Sequence, residues 1–106
     1  HHPPVDVGSL WMDAIGLEGK ELLQDLFREE RRIQLVCCGH VHHEFHSQAG
    51  NAHICTTPAT GIQFSPAGTQ ATFVAEPPGY RVIELTDDGF STNVCRLSVT
   101  RFSPEN

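Results

Sequence analysis

The sequence predicts an α/β fold, and three observations carry that reading. A helical apolar stripe leads into the apolar run Ile33 to Cys38, broken only by Gln34. That run stops at Gly39 and is followed at once by His40-Val41-His42. Beyond it, the second half changes to hairpin-like alternation around Gly50-Asn51 and Thr86-Asp87-Asp88-Gly89. A helix, a buried strand and a chemically equipped loop at the strand's C-terminal end make the unit from which α/β domains are built. The hairpins add α+β content behind it.

The elements follow in order. His1 to Gly8 reads as a strand end running into a loop, because Pro3-Pro4 cannot continue a ladder. Trp11, Met12, Ile15 and Leu17 supply apolar cover before the first helix, predicted over Glu18 to Arg28. In that helix Leu22 with Leu26 and Leu23 with Phe27 form an i, i+4 stripe suited to burial against a sheet. Glu18 and Glu21 lie near its positive end, and Arg31-Arg32 lie just past its negative end. Ile33 to Cys38 is expected as a strand buried on both faces. Glu44–Ala49 and Ala52–Thr57 flank Gly50-Asn51, the signal for a type II′ hairpin with glycine first. Ser65 to Gly79, rich in Pro, Gly, Ala and Thr, is expected as a long loop with at most a short strand around Ala71 to Val74. Tyr80–Leu85 and Phe90–Leu97 form a second hairpin, and the polar tail from Ser103 is expected to fray.

With 106 residues the chain allows one small domain, 1–106. Net charge is −6 and the basic residues are scattered apart from Arg31-Arg32, which leaves no electrostatic footprint for nucleic acid or an anionic membrane. No apolar run approaches the ~20 residues that span a bilayer. The four cysteines, at 37, 38, 55 and 95, contain no Cys-x-x-Cys pair, so a thiolate zinc knuckle is not expected. Cys37, Cys38 and Cys55 fall in strand-like runs as small core residues, and adjacent strand residues face opposite ways, which disfavours a Cys37–Cys38 disulfide. Reduced cysteines place the protein in the cytoplasm. The chain opens on His1-His2-Pro3-Pro4 without an initiator methionine, and a single helix cannot cover both faces of a parallel sheet. Both points read as the C-terminal half of a longer domain whose N-terminal half is absent.

His40 and His42 stand two residues apart, and in an extended backbone they project to one side with Cα atoms roughly 6.5 Å apart. Imidazole nitrogen is a good ligand for Zn, Mn and Fe, so such a pair suits one ion or two adjacent ones. Gly39 is expected to let the chain turn tightly at the strand end. Alone, the tetrapeptide is equally well a turn bearing surface histidines. His43, His46 and His53 lack supporting context and are read as exposed or satisfied side chains. His1, held rigid by the proline pair, is a second aimed ligand if it emerges beside the end of the Ile33–Cys38 strand. Three histidines could then converge, either as a mononuclear zinc site or, with carboxylates, as part of a dinuclear site with ions about 3.5–4 Å apart.

An upstream His-His-Pro-Pro, a helix, then an apolar strand ending in Gly-His-x-His resembles the last two metal motifs of the calcineurin-like metallophosphoesterases. Gly8-Ser9-Leu10-Trp11-Met12-Asp13, Cys38-Gly39-His40-Val41-His42, Thr57-Pro58-Ala59-Thr60 with Gln63-Phe64, and Pro77-Pro78-Gly79-Tyr80-Arg81 resemble the bacterial class III cyclic-nucleotide phosphodiesterases, over essentially the whole chain. The resemblance implies a two-sheet αββα sandwich with metals at the strand ends. It also implies that His1 and His40 are ligands of one ion, His42 a ligand of the other, and His2 a supporting residue. The ions it implies are two divalent metals (Mn, Fe or Zn), and the reaction is hydrolysis of 3′,5′-cyclic AMP or a similar small phosphodiester. The family's Asp-x-His, Gly-Asp-x-x-Asp and Gly-Asn-His motifs do not occur here, so the bridging aspartate is missing and the isolated chain is expected to be inactive. His43 stands where relatives often carry glutamine.

The implied partners are the missing N-terminal half and a small phosphodiester substrate, with no nucleic acid and no membrane. Self-association into a homo-oligomer is expected through the uncovered sheet face. Two alternatives stay open: a hydrolase of glycerophosphodiesters from the same superfamily, and a non-catalytic metal-binding or oligomerisation module.

Overall fold

The computed structural model describes residues 1–100, 104 and 105, so half of the four-residue tail expected to fray from Ser103 lies outside the described residues. The elements are α1 (Leu10–Ala14), α2 (Lys20–Glu29), β1 (Leu35–Cys38), β2 (Phe45–Ala49), β3 (Ala52–Thr56), β4 (Gln63–Phe64), β5 (Phe73–Val74), β6 (Gly79–Thr86) and β7 (Gly89–Arg96). This is the mixed α/β content that the sequence predicts.

The sheet that matters for the site has the order β1-β3-β2. β1 runs parallel to β3 with Cys37 opposite Cys55, and β2 runs antiparallel to β3 with Phe45 opposite Thr56. Gly50 turns the β2–β3 hairpin with φ +59, whereas Asn51 is not left-handed, as a type II′ turn demands. A Cβ on Gly50 would lie 2.8 Å from both Arg28 Cα and Phe27 O, so the hairpin tip lies directly against the end of α2. Phe27, Cys38, Ala49, Ala52 and Ile54 form the core beneath that contact, with Val5, Ile33 and Val36 packed on it. A second cluster, Val7, Met12 and Val41 with Trp11, Phe45 and Phe64 around it, sits apart from the first. The β6–β7 hairpin pairs Thr86 with Gly89 across Asp87-Asp88, as read from the sequence.

Several expectations need correction. α2 starts at Lys20 after Gly19, whose φ of +78 breaks the helix before Glu18 can join it. Its leucine stripe is not buried: Leu22 is 77% exposed and Leu26 45%, while Phe27 is 6% exposed. The helix touches the sheet along the Phe27 edge, where Gly50 seats, and turns the leucines outward. A second, short helix, α1, forms where only irregular cover was expected. β1 is covered on one face alone, because α2 lies on the Cys38 side and leaves Cys37 exposed; Cys37 is therefore not a core residue. All four cysteines are free. The segment after Ser65 is a loop broken only by β5, which pairs with the equally short β4.

Candidate metal centre

The chain brings its first residue to the end of β1. The Gly39 amide donates to the His1 carbonyl at 3.1 Å, extending the sheet's hydrogen bonding past Cys38. The His1 ring then lies over Gly39, where a Cβ would stand 3.2 Å from His1 Cε1. Gly39 is thus needed for close approach, not for the turn, since the left-handed residues are its neighbours: His40 has φ +70 and His42 φ +52. The Val41 amide donates back to the Gly39 carbonyl at 2.8 Å. With a positive φ at its centre, Gly39-His40-Val41 is the rare, strained form of the γ-turn. Two excursions of non-glycine residues into left-handed space, on either side of Val41 and each costing about 1–3 kcal/mol, mark a segment held by its surroundings. What holds it is Val41, 4% exposed in the second core cluster. The extended-strand geometry expected for His40 and His42 is therefore not the one found.

His1, His2 and His40 form one cluster. Ring centroids are 5.3 Å apart for His1–His40, 5.5 Å for His1–His2 and 3.8 Å for His2–His40, so the second histidine approaches His40 more closely than the first. The His40 pKa is lowered, first by burial and then by the His2 and His42 imidazoles, which keeps the ring neutral and its lone pair available. His42 is aimed separately. Its Nδ1 lies 2.9 Å from the Ile62 carbonyl, so Nδ1–H donates there and Nε2 is left bare, the arrangement of a ligating histidine with its orienting partner. Its ring stacks on Phe64 at 4.4 Å. The donor set is nitrogen-rich and partly oriented, and so fits part of a transition-metal centre. Among the described residues, no three His, Cys, Asp or Glu side chains converge to hold an ion.

The remaining histidines are placed elsewhere. His43 Nδ1 contacts the Val41 carbonyl at 3.2 Å, and His46 Nε2 meets His53 Nδ1 at 2.9 Å on the sheet face away from α2.

The segments around the histidines are fixed by residues that sequence reading did not single out individually. Asp13 accepts from the Val7 and Gly8 amides at 2.7 and 3.1 Å, shaping the loop after Pro4. Gln63, 1% exposed, accepts from the Ala59 amide and donates to the Ala59 carbonyl, closing the loop that carries Ile62. Thr56 donates to the His43 carbonyl at 2.7 Å, and Arg81 donates to the Thr56 carbonyl at 2.8 Å. Each lies in or beside a segment that the family resemblance covers, which was the available signal.

No protein-family model matches the chain. Curated relatives do. The chain is 39% identical over 98 residues to the 3′,5′-cyclic adenosine monophosphate phosphodiesterase CpdA of Pseudomonas aeruginosa, covering 92% of this chain and 36% of that protein. It is 33% identical over 106 residues to CpdA of Escherichia coli K12, covering 99% and 38%. A 3′,5′-cyclic-nucleotide phosphodiesterase of Nostoc is 36% identical over 98 residues, covering 92% and 37%. The chain is a homologue of bacterial cyclic-nucleotide phosphodiesterases, which are hydrolases. More narrowly, it is similar to the C-terminal part of the CpdA proteins, and spans 36–38% of the length of these three relatives.

Proposed function

We propose that this chain supplies the C-terminal metal ligands of a dinuclear metal-dependent phosphodiesterase acting on 3′,5′-cyclic AMP or a similar cyclic nucleotide. His1 and His40 serve one ion and His42 the other. The observation that carries this reading is the clasp of His1 onto Gly39, which sets the chain's two histidine motifs at one edge of one sheet. The relatives' names support the substrate class. Divalent ions (Mn, Fe or Zn), when bound, supply Lewis-acid stabilisation of charge at phosphorus and activation of water.

The chain's own part is positional. Ile62 holds the proton on His42 Nδ1 and so presents Nε2. The buried Val41 fixes the turn that directs His40. Among the described residues no carboxylate completes a ligand group with these rings, and the chain by itself is expected to be inactive. Its exposed apolar side chains, among them Leu22, Leu26 and Leu85, receive the remainder of the fold or, when it is missing, a second copy. Four free cysteines suit a reducing cytoplasm.

The test is turnover of cyclic AMP by the natural full-length protein that carries these residues. His40→Ala and His42→Ala are expected to lower turnover and metal retention at least about 100-fold, since even orienting partners of ligands are worth 10–100-fold. Unchanged metal content in both variants overturns the assignment.

A further inference from the structure

Beside His40 the molecule contains a cavity that the metal ligands do not use. Trp11, Met12, Ile15, Val41 and Phe64 enclose about 150 Å³, and His40 stands in its wall. The aromatic walls are fixed. Trp11 Nε1 donates to the Ser65 carbonyl at 2.9 Å, which locks the indole plane. Phe64 meets that indole with centroids 5.5 Å apart and planes at 83°, while its ring stacks on His42 at 4.4 Å and on Phe73 at 5.5 Å. One phenyl ring therefore links the cavity to the second ligand histidine.

Sites for drug-sized ligands measure about 300–1,000 Å³, so this cavity suits one flat heterocycle and not a whole nucleotide. Its lining side chains are aliphatic, thioether and aromatic, and the only indole donor is already committed to Ser65. A planar π-system with little need for hydrogen bonds is the matching ligand, and nucleic-acid bases stack on aromatic side chains largely without regard to sequence.

We propose that this cavity is the base subsite of the enzyme: Trp11 stacks on the purine of the substrate and Phe64, itself held by His42 and Phe73, closes its side, while the phosphodiester lies at His40 and His42. The inference rests on the phosphodiesterase reading and extends it from reaction to substrate recognition. Apart from His40, which the phosphodiester site uses, no lining side chain offers a free donor or acceptor, so the subsite selects purines over pyrimidines by area and distinguishes adenine from guanine poorly.

Two measurements on the natural full-length protein test it. Ile15 is 59% exposed at the cavity rim, so Ile15→Arg blocks the entrance with little risk to folding. The ratio of kcat/KM for cyclic AMP to that for abasic ribose 3′,5′-cyclic phosphate is expected to fall at least about ten-fold, chiefly through KM, and Phe64→Leu to lower it in the same direction. An unchanged ratio in both variants overturns the subsite. Independently, Trp11 is the single tryptophan of the 106 residues, so the fluorescence lost in Trp11→Phe isolates its signal. Adenosine should quench that signal and ribose 5-phosphate should not; equal response to both, or to neither, also overturns the subsite. Adenosine quenching in a protein that hydrolyses no phosphodiester would keep the cavity as a purine site and sink the phosphodiesterase reading instead.

Discussion

At the scale of single residues, the chain spends conformational energy where its proposed metal ligands are. His40 sits at φ +70, in a region that L-residues enter at a cost of roughly 1–2 kcal/mol. His40→Gly removes that cost, so thermal unfolding should shift upward by about 1 kcal/mol while metal retention is lost. A lower midpoint would show that the imidazole's packing outweighs the strain. The same side chain makes stability depend on pH. Its pKa is lowered in the folded chain, chiefly by burial, so the folded state binds fewer protons than the unfolded one just below the ordinary histidine value. Stability is therefore full above that value and falls as pH drops through the lowered one. NMR titration should find the His40 ring protonating below the usual histidine range. Gln63 is the opposite kind of residue, buried for structure: Gln63→Leu strands the Ala59 amide and carbonyl, and chemical denaturation should register about 1–3 kcal/mol. The histidine motifs were legible because their residue types are chemically specific. The turn strain and the Gly39 close approach were not, because both depend on where His1 lies after folding.

At the scale of elements, sequence periodicity located β1, β2, β3 and the β6–β7 hairpin to within about two residues, and turn chemistry named the Gly50 turn correctly. It failed on what each face touches. Leu22, Leu23, Leu26 and Phe27 share one apolar stripe, and only Phe27 is buried. Periodicity reports that a face is apolar; the partner covering it depends on tertiary placement, here the seat of Gly50 against Phe27 and Arg28. Gly50→Ala both forces alanine to φ +59 and drives a Cβ into backbone, so it should cost at least about 1–3 kcal/mol in denaturant unfolding. At a dilution where the isolated chain is monomeric, Leu22→Lys on the exposed side should change its stability by no more than about 0.5 kcal/mol. A large loss there would mean that another segment of the same chain covers the helix. β5 lies where a short strand was expected, around Ala71 to Val74, whereas its partner β4 was not read because a two-residue strand leaves no period.

At the scale of the whole molecule, large apolar side chains stay exposed on α1, α2 and the β6–β7 hairpin, including Leu10, Ile15, Leu22, Tyr80 and Leu85. Scattered apolar exposure is ordinary, but this many large side chains on three elements favours association. Size-exclusion chromatography of the 106-residue chain should therefore show a species larger than a monomer; a clean monomer at micromolar concentration would contradict it. The α/β class was readable from one helix–strand unit, whereas the separation of the core into two clusters was not. The larger, around Ile54, joins α2 to the sheet, and the smaller, around Val41, ties the histidine turn to α1 and the loop before it, with Phe45 and Phe64 packed on its edge. A small core pressing down a strained turn makes the site and the sheet separable by temperature. On warming, the Val41 amide should exchange its hydrogen well before that of Ile54. The proposed metal centre would then come apart while the strands are still paired, so heat would silence it before the protein melts.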